Sequence, residues 1–215
     1  MIIGVSGKAR SGKGEFADVG KKRFRAIELS FAAALKKEVS IFLDTLEVDY
    51  TLDNLFGSNE DKEQTFHLDS KQFYIIETMS DLLFDIICCN VNEKNCMSFR
   101  TLMQIWGTEF RRDEDDNYWV KKVLDGLCED ELYIISDVRF KNEAKGILDA
   151  GGYLIRVERP DRPRISNENH PSECDLDDWK QWYLILKNDS TIDIYRQKCL
   201  GTIMTLNFKE MGLSS

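Results

Sequence analysis

The sequence predicts an α/β protein, a parallel sheet flanked by helices on both faces. Short apolar runs alternate with segments of helical periodicity from end to end, the pattern of parallel strands joined by crossover helices. A glycine-rich turn, Gly7-Lys-Ala-Arg-Ser-Gly12-Lys13-Gly14, lies between the first such run and the first helix. The chain has 215 residues, 42% of them hydrophobic, enough for one well-buried core and too few for two ordinary domains.

Met1–Ser6 reads as a buried strand, and a helix follows from about Lys13. A short strand over Arg25–Leu29 leads into a helix over Phe31–Leu43, with Phe31, Leu35 and Phe42 as its apolar positions. Residues 44–70 are acidic and rich in turn formers (Asp49, Asp53, Asn54, Gly57, Ser58, Asn59), and read as a surface excursion. Phe73, Ile76, Met79, Leu83 and Ile87 then recur at helical spacing and predict one long helix over Gln72–Cys89. Helices are also expected over Ser98–Arg112 and Asn117–Leu127. Leu132–Ser136 is a buried strand ending at Asp137. Phe140–Ala150 is a helix stopped by Gly151-Gly152, and Tyr153–Val157 another strand. All three prolines lie between 160 and 171, which marks a loop. A strand over Tyr183–Leu186 and a helix over about 190–206, capped by Ser190 or Asp189, complete the chain.

The formal net charge is −9, and an acidic surface lacks the Lys/Arg excess that grips a polyanion, so stable nucleic-acid binding is not expected. No apolar run reaches the roughly 18 residues of a membrane span, and none reads as a signal peptide. The six cysteines show no C-x-x-C spacing and read as reduced thiols of a cytoplasmic protein. Cys88, Cys89 and Cys96 are a poor metal set, because adjacent cysteines do not easily turn to one tetrahedral ion.

The chemistry centres on the glycine-rich turn. A phosphate cradle needs inward-pointing backbone N–H groups, glycines that tolerate unusual φ/ψ, a helix N-terminus and a lysine that reaches the β/γ-phosphates. Gly7, Gly12 and Lys13 fit the G-x-x-x-x-G-K pattern, with Ala9, Arg10 and Ser11 between them. The next position, where a hydroxyl ordinarily holds Mg²⁺, is Gly14, followed by Glu15, so the metal falls to Ser11, Asp137 and waters. At about 100° per residue, Arg100, Gln104, Thr108 and Arg111 share one helix face, opposite Phe99, Leu102, Trp106 and Phe110. Two arginines with an amide and a hydroxyl suit a phosphate and a base edge.

Asp137, at the carboxyl end of a strand, can organise Mg²⁺ or accept a proton, and Arg139 can hold a phosphate. A helix-capping role also suits Asp137. Arg159, Arg162 and Arg164 are candidates for neutralising charge in a transition state, and His170 and Glu173 for substrate contacts in the same loop. Asn188 and Asp189, after the last strand, can lie against an adenine ring.

Taken together, these motifs resemble the bacteriophage deoxynucleoside monophosphate kinases, of the P-loop nucleoside monophosphate kinase superfamily. They are Ser6-Gly-Lys-Ala-Arg-Ser-Gly-Lys13, Arg100-Thr-Leu-Met-Gln104-Ile-Trp-Gly107-Thr108, Asn117-Tyr118-Trp119-Val120 and Asp137-Val-Arg139-Phe-Lys-Asn-Glu143. Gly151–Pro160, His170-Pro-Ser-Glu173 and Asn188-Asp189 extend the likeness, which skips roughly residues 40–97. The resemblance implies a P-loop kinase fold in one domain. Its core would be about 1–40 and 130–215, with a helical monophosphate-binding insertion over about 41–128 and an arginine-containing lid over about 159–178. It also implies ATP on Gly7–Gly14, a nucleoside monophosphate under Arg100–Arg111 with Trp119 beside it, Mg²⁺ as cofactor, and a phage enzyme working in the host bacterial cytoplasm, for which a homodimer is an assembly to test. Family members often carry a threonine one residue beyond the position after the lysine; here that residue is Glu15.

Two rivals stand beside this reading. One is a kinase of the same fold for another acceptor, dephospho-coenzyme A or a hydroxymethylated base in DNA, the latter disfavoured by the acidic charge. The other is a nucleotide-binding sensor or ATPase. Hydrolases of this type often place a glutamate after the strand-end aspartate, whereas Asp137 is followed by Val138.

Overall fold

The computed structural model describes residues 1–160 and 174–212. In chain order the strands are β1 (Ile2–Ser6), β2 (Ile27–Leu29), β3 (Thr65–His67), β4 (Cys96–Ser98), β5 (Tyr133–Val138), β6 (Tyr153–Glu158) and β7 (Leu184–Lys187). The helices are α1 (Lys13–Phe24), α2 (Phe31–Thr45), α3 (Leu52–Phe56), α4 (Asn59–Glu63), α5 (Ser70–Met79), α6 (Asp81–Asn90), α7 (Phe99–Ile105), α8 (Arg111–Glu114), α9 (Tyr118–Leu124), α10 (Lys141–Asp149) and α11 (Ile192–Glu210). A π-helical turn, Trp106–Phe110, joins α7 to α8. The chain divides into two compact units, Met1–Phe31 with residues from Val120 onward, and Ala32–Trp119.

The first unit holds a five-stranded parallel sheet in the order β2-β5-β1-β6-β7. Ile3 and Val5 of β1 point to one face, where Ile134, Ile155, Val157 and Leu186 meet Phe16 and Ala17 of α1 and Tyr195, Cys199, Ile203 and Leu206 of α11. The alternate position, Gly4, faces α10, and a Cβ there would stand 2.7 Å from Ile147 Cδ1. Each fully buried aliphatic or aromatic side chain contributes about 1.5–3 kcal/mol to this packing. All five strands are parallel, so the carboxyl ends of β1, β5, β6 and β7 share one edge, where α/β enzymes carry their chemistry.

The second unit is helical apart from the antiparallel pair β3–β4, which aligns Phe66 with Met97. The region expected to be a surface excursion is more ordered than that: α3, α4 and β3 lie within 44–70. Side-chain capping makes the short helices possible, as at Ser58 and Asp61, where Ser58 Oγ accepts from Asp61 N at 3.2 Å and Ser58 N donates to Asp61 Oδ2 at 2.8 Å. The helix expected over Gln72–Cys89 is two helices. Ser80 is extended (φ −168°, ψ 122°), ends α5 through its N–H on Ile76 O, and caps α6 by accepting from Leu83 N at 3.2 Å. The helix expected over Ser98–Arg112 is interrupted by the π turn. The cap of α11 is Thr191, one residue beyond the two candidates. Among the described residues, no helix is long and apolar enough to cross a membrane.

Candidate active site

The phosphate loop leaves β1 at Ser6 and enters α1 at Lys13. Its two outer glycines take left-handed φ values, 153° at Gly7 and 110° at Gly12. A Cβ at Gly7 would lie 2.5 Å from Val157 O, so that turn admits no side chain. Lys13 Nζ folds back over the loop and donates to Gly7 O at 2.6 Å and Lys8 O at 3.0 Å. Two side chains brace the loop from behind: Asn188 Nδ2 donates to Ser11 O at 2.9 Å, and Tyr195 Oη donates to Gly12 O at 3.1 Å. Burial raises the Tyr195 phenol pKa well above its usual range, which keeps it a donor.

Ser11 Oγ is buried and has no hydrogen-bond partner among the described residues. Ser11, Arg10, Lys13, Ser136 and Arg159 line a cavity of about 520 Å³ over the loop. A second cavity, about 290 Å³, lies on the β6 side among Lys8, Ser11, Arg156 and Arg159. Arg159 borders both.

Other predicted residues take different positions. A Cβ at Gly14 would meet no atom within 4 Å, so the missing hydroxyl reflects the residue and not a lack of room. Glu15 turns outward, where its Oε1 accepts from Arg196 Nε at 2.5 Å. Asp137 lies inside β5, and its carboxylate caps α2: Oδ1 accepts from Phe31 N at 2.9 Å and Oδ2 from Ser30 Oγ at 2.8 Å. The capping role foreseen for Asp137 is real, but it serves α2 and not the following helix, whose start is closed by Glu143. Glu143 Oε2 accepts from Arg139 N at 2.8 Å and Phe140 N at 3.1 Å. Asp189 pairs with Lys198 at 2.7 Å. Arg162, Arg164, His170 and Glu173 lie outside the described residues.

Sequence reading missed Asp177. Its carboxylate bridges Lys8 Nζ (2.6 Å) and Arg156 Nη2 (3.0 Å), while Arg156 Nη1 donates to Ser6 Oγ at 3.2 Å. This ties the segment after residue 173 to the loop and to β6. Nothing in the local pattern marks Asp177 among the acids of 173–178; the contact is made by the fold.

In the second unit, Phe99, Leu102, Trp106 and Phe110 are buried while Gln104 and Thr108 are exposed, as the periodicity predicts. The π turn changes the rest. One extra residue per turn displaces everything after it by roughly 100° relative to a continuous α-helix. Arg100 pairs with Glu63 through Nε and donates from Nη2 to Asn59 Oδ1 at 2.9 Å. Arg111 has other company: Nε donates to Glu38 Oε2 at 3.1 Å, and the guanidinium lies over the rings of Phe110 (4.4 Å), Tyr118 (4.8 Å) and Trp106 (5.4 Å). Trp119 is buried beneath the turn, its Nε1 donating to Gly107 O at 3.1 Å. Burial, and next the hydrogen bond it donates to Glu38, push the Tyr118 phenol up to about 12.

Among the described residues no group of three or more His, Cys, Asp or Glu is placed to hold a metal. The Ser11 hydroxyl and the Asp137 carboxylate, the latter already accepting from Phe31 N and Ser30 Oγ, are oxygens of the kind Mg²⁺ takes.

The chain matches the deoxynucleotide monophosphate kinase family over residues 74–199. A protein of Acanthamoeba polyphaga mimivirus named for that activity is 29% identical over 223 residues, covering 94% of this chain and 96% of its own length. The deoxynucleotide monophosphate kinase of Enterobacteria phage T4 is 25% identical over 242 residues, covering 95% and 99%. Among solved structures, a dephospho-CoA kinase from Campylobacter jejuni aligns over 94% of this chain and 95% of its own, at 15% identity and a TM-score of 0.45.

Proposed function

This chain belongs to the deoxynucleotide monophosphate kinase family, and from that premise we propose how its residues divide the transfer of a phosphoryl group from ATP to a deoxynucleoside monophosphate. Gly7–Gly14 holds the β- and γ-phosphates of ATP. Lys13 Nζ, which donates to two loop carbonyls, exchanges them for phosphate oxygens. Ser11 turns its unpartnered hydroxyl to the same group. Mg²⁺, when bound there, neutralises phosphate charge, with Ser11 and Asp137 as its protein oxygens and Gly14 supplying none. Arg159 lines the loop cavity, which supports its assignment to balancing charge on the migrating group.

The acceptor falls to the Arg100–Arg111 segment, whose arginines match phosphate oxygens and whose exposed Gln104 and Thr108 offer donors and acceptors to a base or sugar. Trp119 supports that segment from beneath. Arg139 is assigned to the acceptor phosphate, and Asn188, which braces the loop, to the adenine side. The acceptor oxygen is already anionic, so positioning and charge stabilisation carry the rate more than a general base does. The observation that carries this reading is the phosphate loop itself, two left-handed glycines, Gly7 and Gly12, ahead of a lysine at a helix start, with an orphan hydroxyl between them.

The test is ADP release from Mg-ATP against dGMP, dTMP, dCMP, dAMP, dUMP, 5-hydroxymethyl-dCMP, 5-hydroxymethyl-dUMP, the ribonucleotides and dephospho-coenzyme A. Turnover with one or a few deoxynucleotides is expected, and Lys13→Ala should lower kcat by about 10²-fold or more, as loss of a transition-state charge contact does. ATP hydrolysis indifferent to every monophosphate, or normal turnover by Lys13→Ala, would overturn the assignment.

A further inference from the structure

We propose that Glu38 is a positioning residue for the acceptor phosphate, acting by fixing the guanidinium of Arg111. The inference rests on the reading that Arg111 meets the monophosphate. No motif points to Glu38; it lies on α2 between Lys37 and Val39, and in the sequence it is one acid among many.

Its surroundings set it apart. The side chain is only 11% exposed, and a carboxylate that far from water needs donors at both oxygens. They come from three places along the chain. Trp106 Nε1, in the π turn, and Arg111 Nε, just after it, both donate to Oε2 at 3.1 Å, while the Tyr118 hydroxyl of α9 donates to Oε1. The Arg111 guanidinium is therefore held at its Nε edge and enclosed by the Trp106, Phe110 and Tyr118 rings.

Arginine grips a phosphate as a planar fork. Because Nε is taken by Glu38, the terminal nitrogens are the edge left for a ligand. Nη1 is 3.8 Å from the more exposed Glu114, beyond hydrogen-bond distance. Most of the freedom an arginine loses on gripping a phosphate is already lost here, and the plane of the fork is set. A carboxylate facing this arginine also lowers the local positive charge, which by itself weakens anion binding. Glu38 therefore helps only through orientation, and removing it tests that.

The experiment measures steady-state constants for Glu38→Gln, Arg111→Lys and the double variant, using the deoxynucleoside monophosphate that the wild-type enzyme turns over best, with thermal melts as a check on folding. Glu38→Gln should raise the monophosphate KM about tenfold with the ATP KM within about twofold. In the Arg111→Lys background the same change should add little, because the two residues act as one unit. Should Glu38→Gln fold poorly, Tyr118→Phe releases Oε1 while keeping the ring against Arg111, and a smaller rise in the same KM is expected. An unchanged monophosphate KM in Glu38→Gln, or in its place Tyr118→Phe, beside a raised one in Arg111→Lys overturns the role given to Glu38. So does full additivity in the double variant. If Arg111→Lys itself leaves that KM unchanged, the failure belongs to the acceptor assignment of Arg111.

Discussion

A buried hydroxyl without a partner costs about 1–3 kcal/mol, and Ser11 carries one inside the phosphate loop. A ligand that accepts or donates there recovers that cost, so function and stability pull in opposite directions at this residue. Ser11→Ala should raise the stability of the nucleotide-free protein by about 1 kcal/mol, or about 2–4 °C in melting temperature. It should also raise the ATP KM several-fold. Melts without nucleotide, paired with ADP-release kinetics, check both; a lower melting temperature would mean that the hydroxyl is satisfied in solution. Ser11 was legible in the sequence as a loop member because glycine and lysine spacing is a local signal. Glu38 and Asp177 were not, because their meaning lies in partners 68–80 and 169 residues away along the chain.

At the scale of elements, sequence periodicity placed β1, the loop and α1, since an apolar run, a glycine turn and a lysine leave few alternatives. It failed where polar residues cap as well as solvate. Ser80 sits within an apolar pattern that continues on both sides, yet its hydroxyl serves α6 and its extended backbone ends α5. The π turn was hidden for another reason: Phe99, Leu102, Trp106 and Phe110 bury themselves on either geometry, so the pattern does not reveal the extra residue. Trp119 shows what holds the turn, since its indole N–H meets Gly107 O from a buried position. Trp119→Phe keeps an aromatic ring but removes the N–H and part of the buried volume, and should cost about 2–4 kcal/mol in urea unfolding. The monophosphate KM should rise while the ATP KM holds. Equal changes in both would detach the turn from acceptor binding.

At the scale of the molecule, tyrosines set the alkaline limit. The Tyr153 phenol, through its hydrogen bond to Glu210 and then burial, and the Tyr118 phenol, through burial and then Glu38, are both pushed up to about 12, and burial raises Tyr50 and Tyr195 as well. Unfolded tyrosine titrates near pH 10. Their stabilising contribution is thus fully present below about pH 10 and is lost as pH rises through the folded values. The urea midpoint should hold between about pH 8 and 9.5 and fall steeply toward pH 12, with native phenolate absorbance lagging that of the denatured chain. A midpoint that stays level through that range would contradict the shifts.

The π turn also bears on which genetic changes can move Arg111. It is what remains when a helix takes in one residue without unwinding, and a single codon separates it from a regular helix. Substitutions along Trp106–Phe110 alter what the segment presents but not where the chain beyond it points. Loss of one codon there would close the turn into a regular helix and leave Arg111 aimed as it is, toward Glu38 and Tyr118. In a lineage descended from this chain, the turn could therefore be lost together with its extra codon, in one step, while the aim of that arginine is kept.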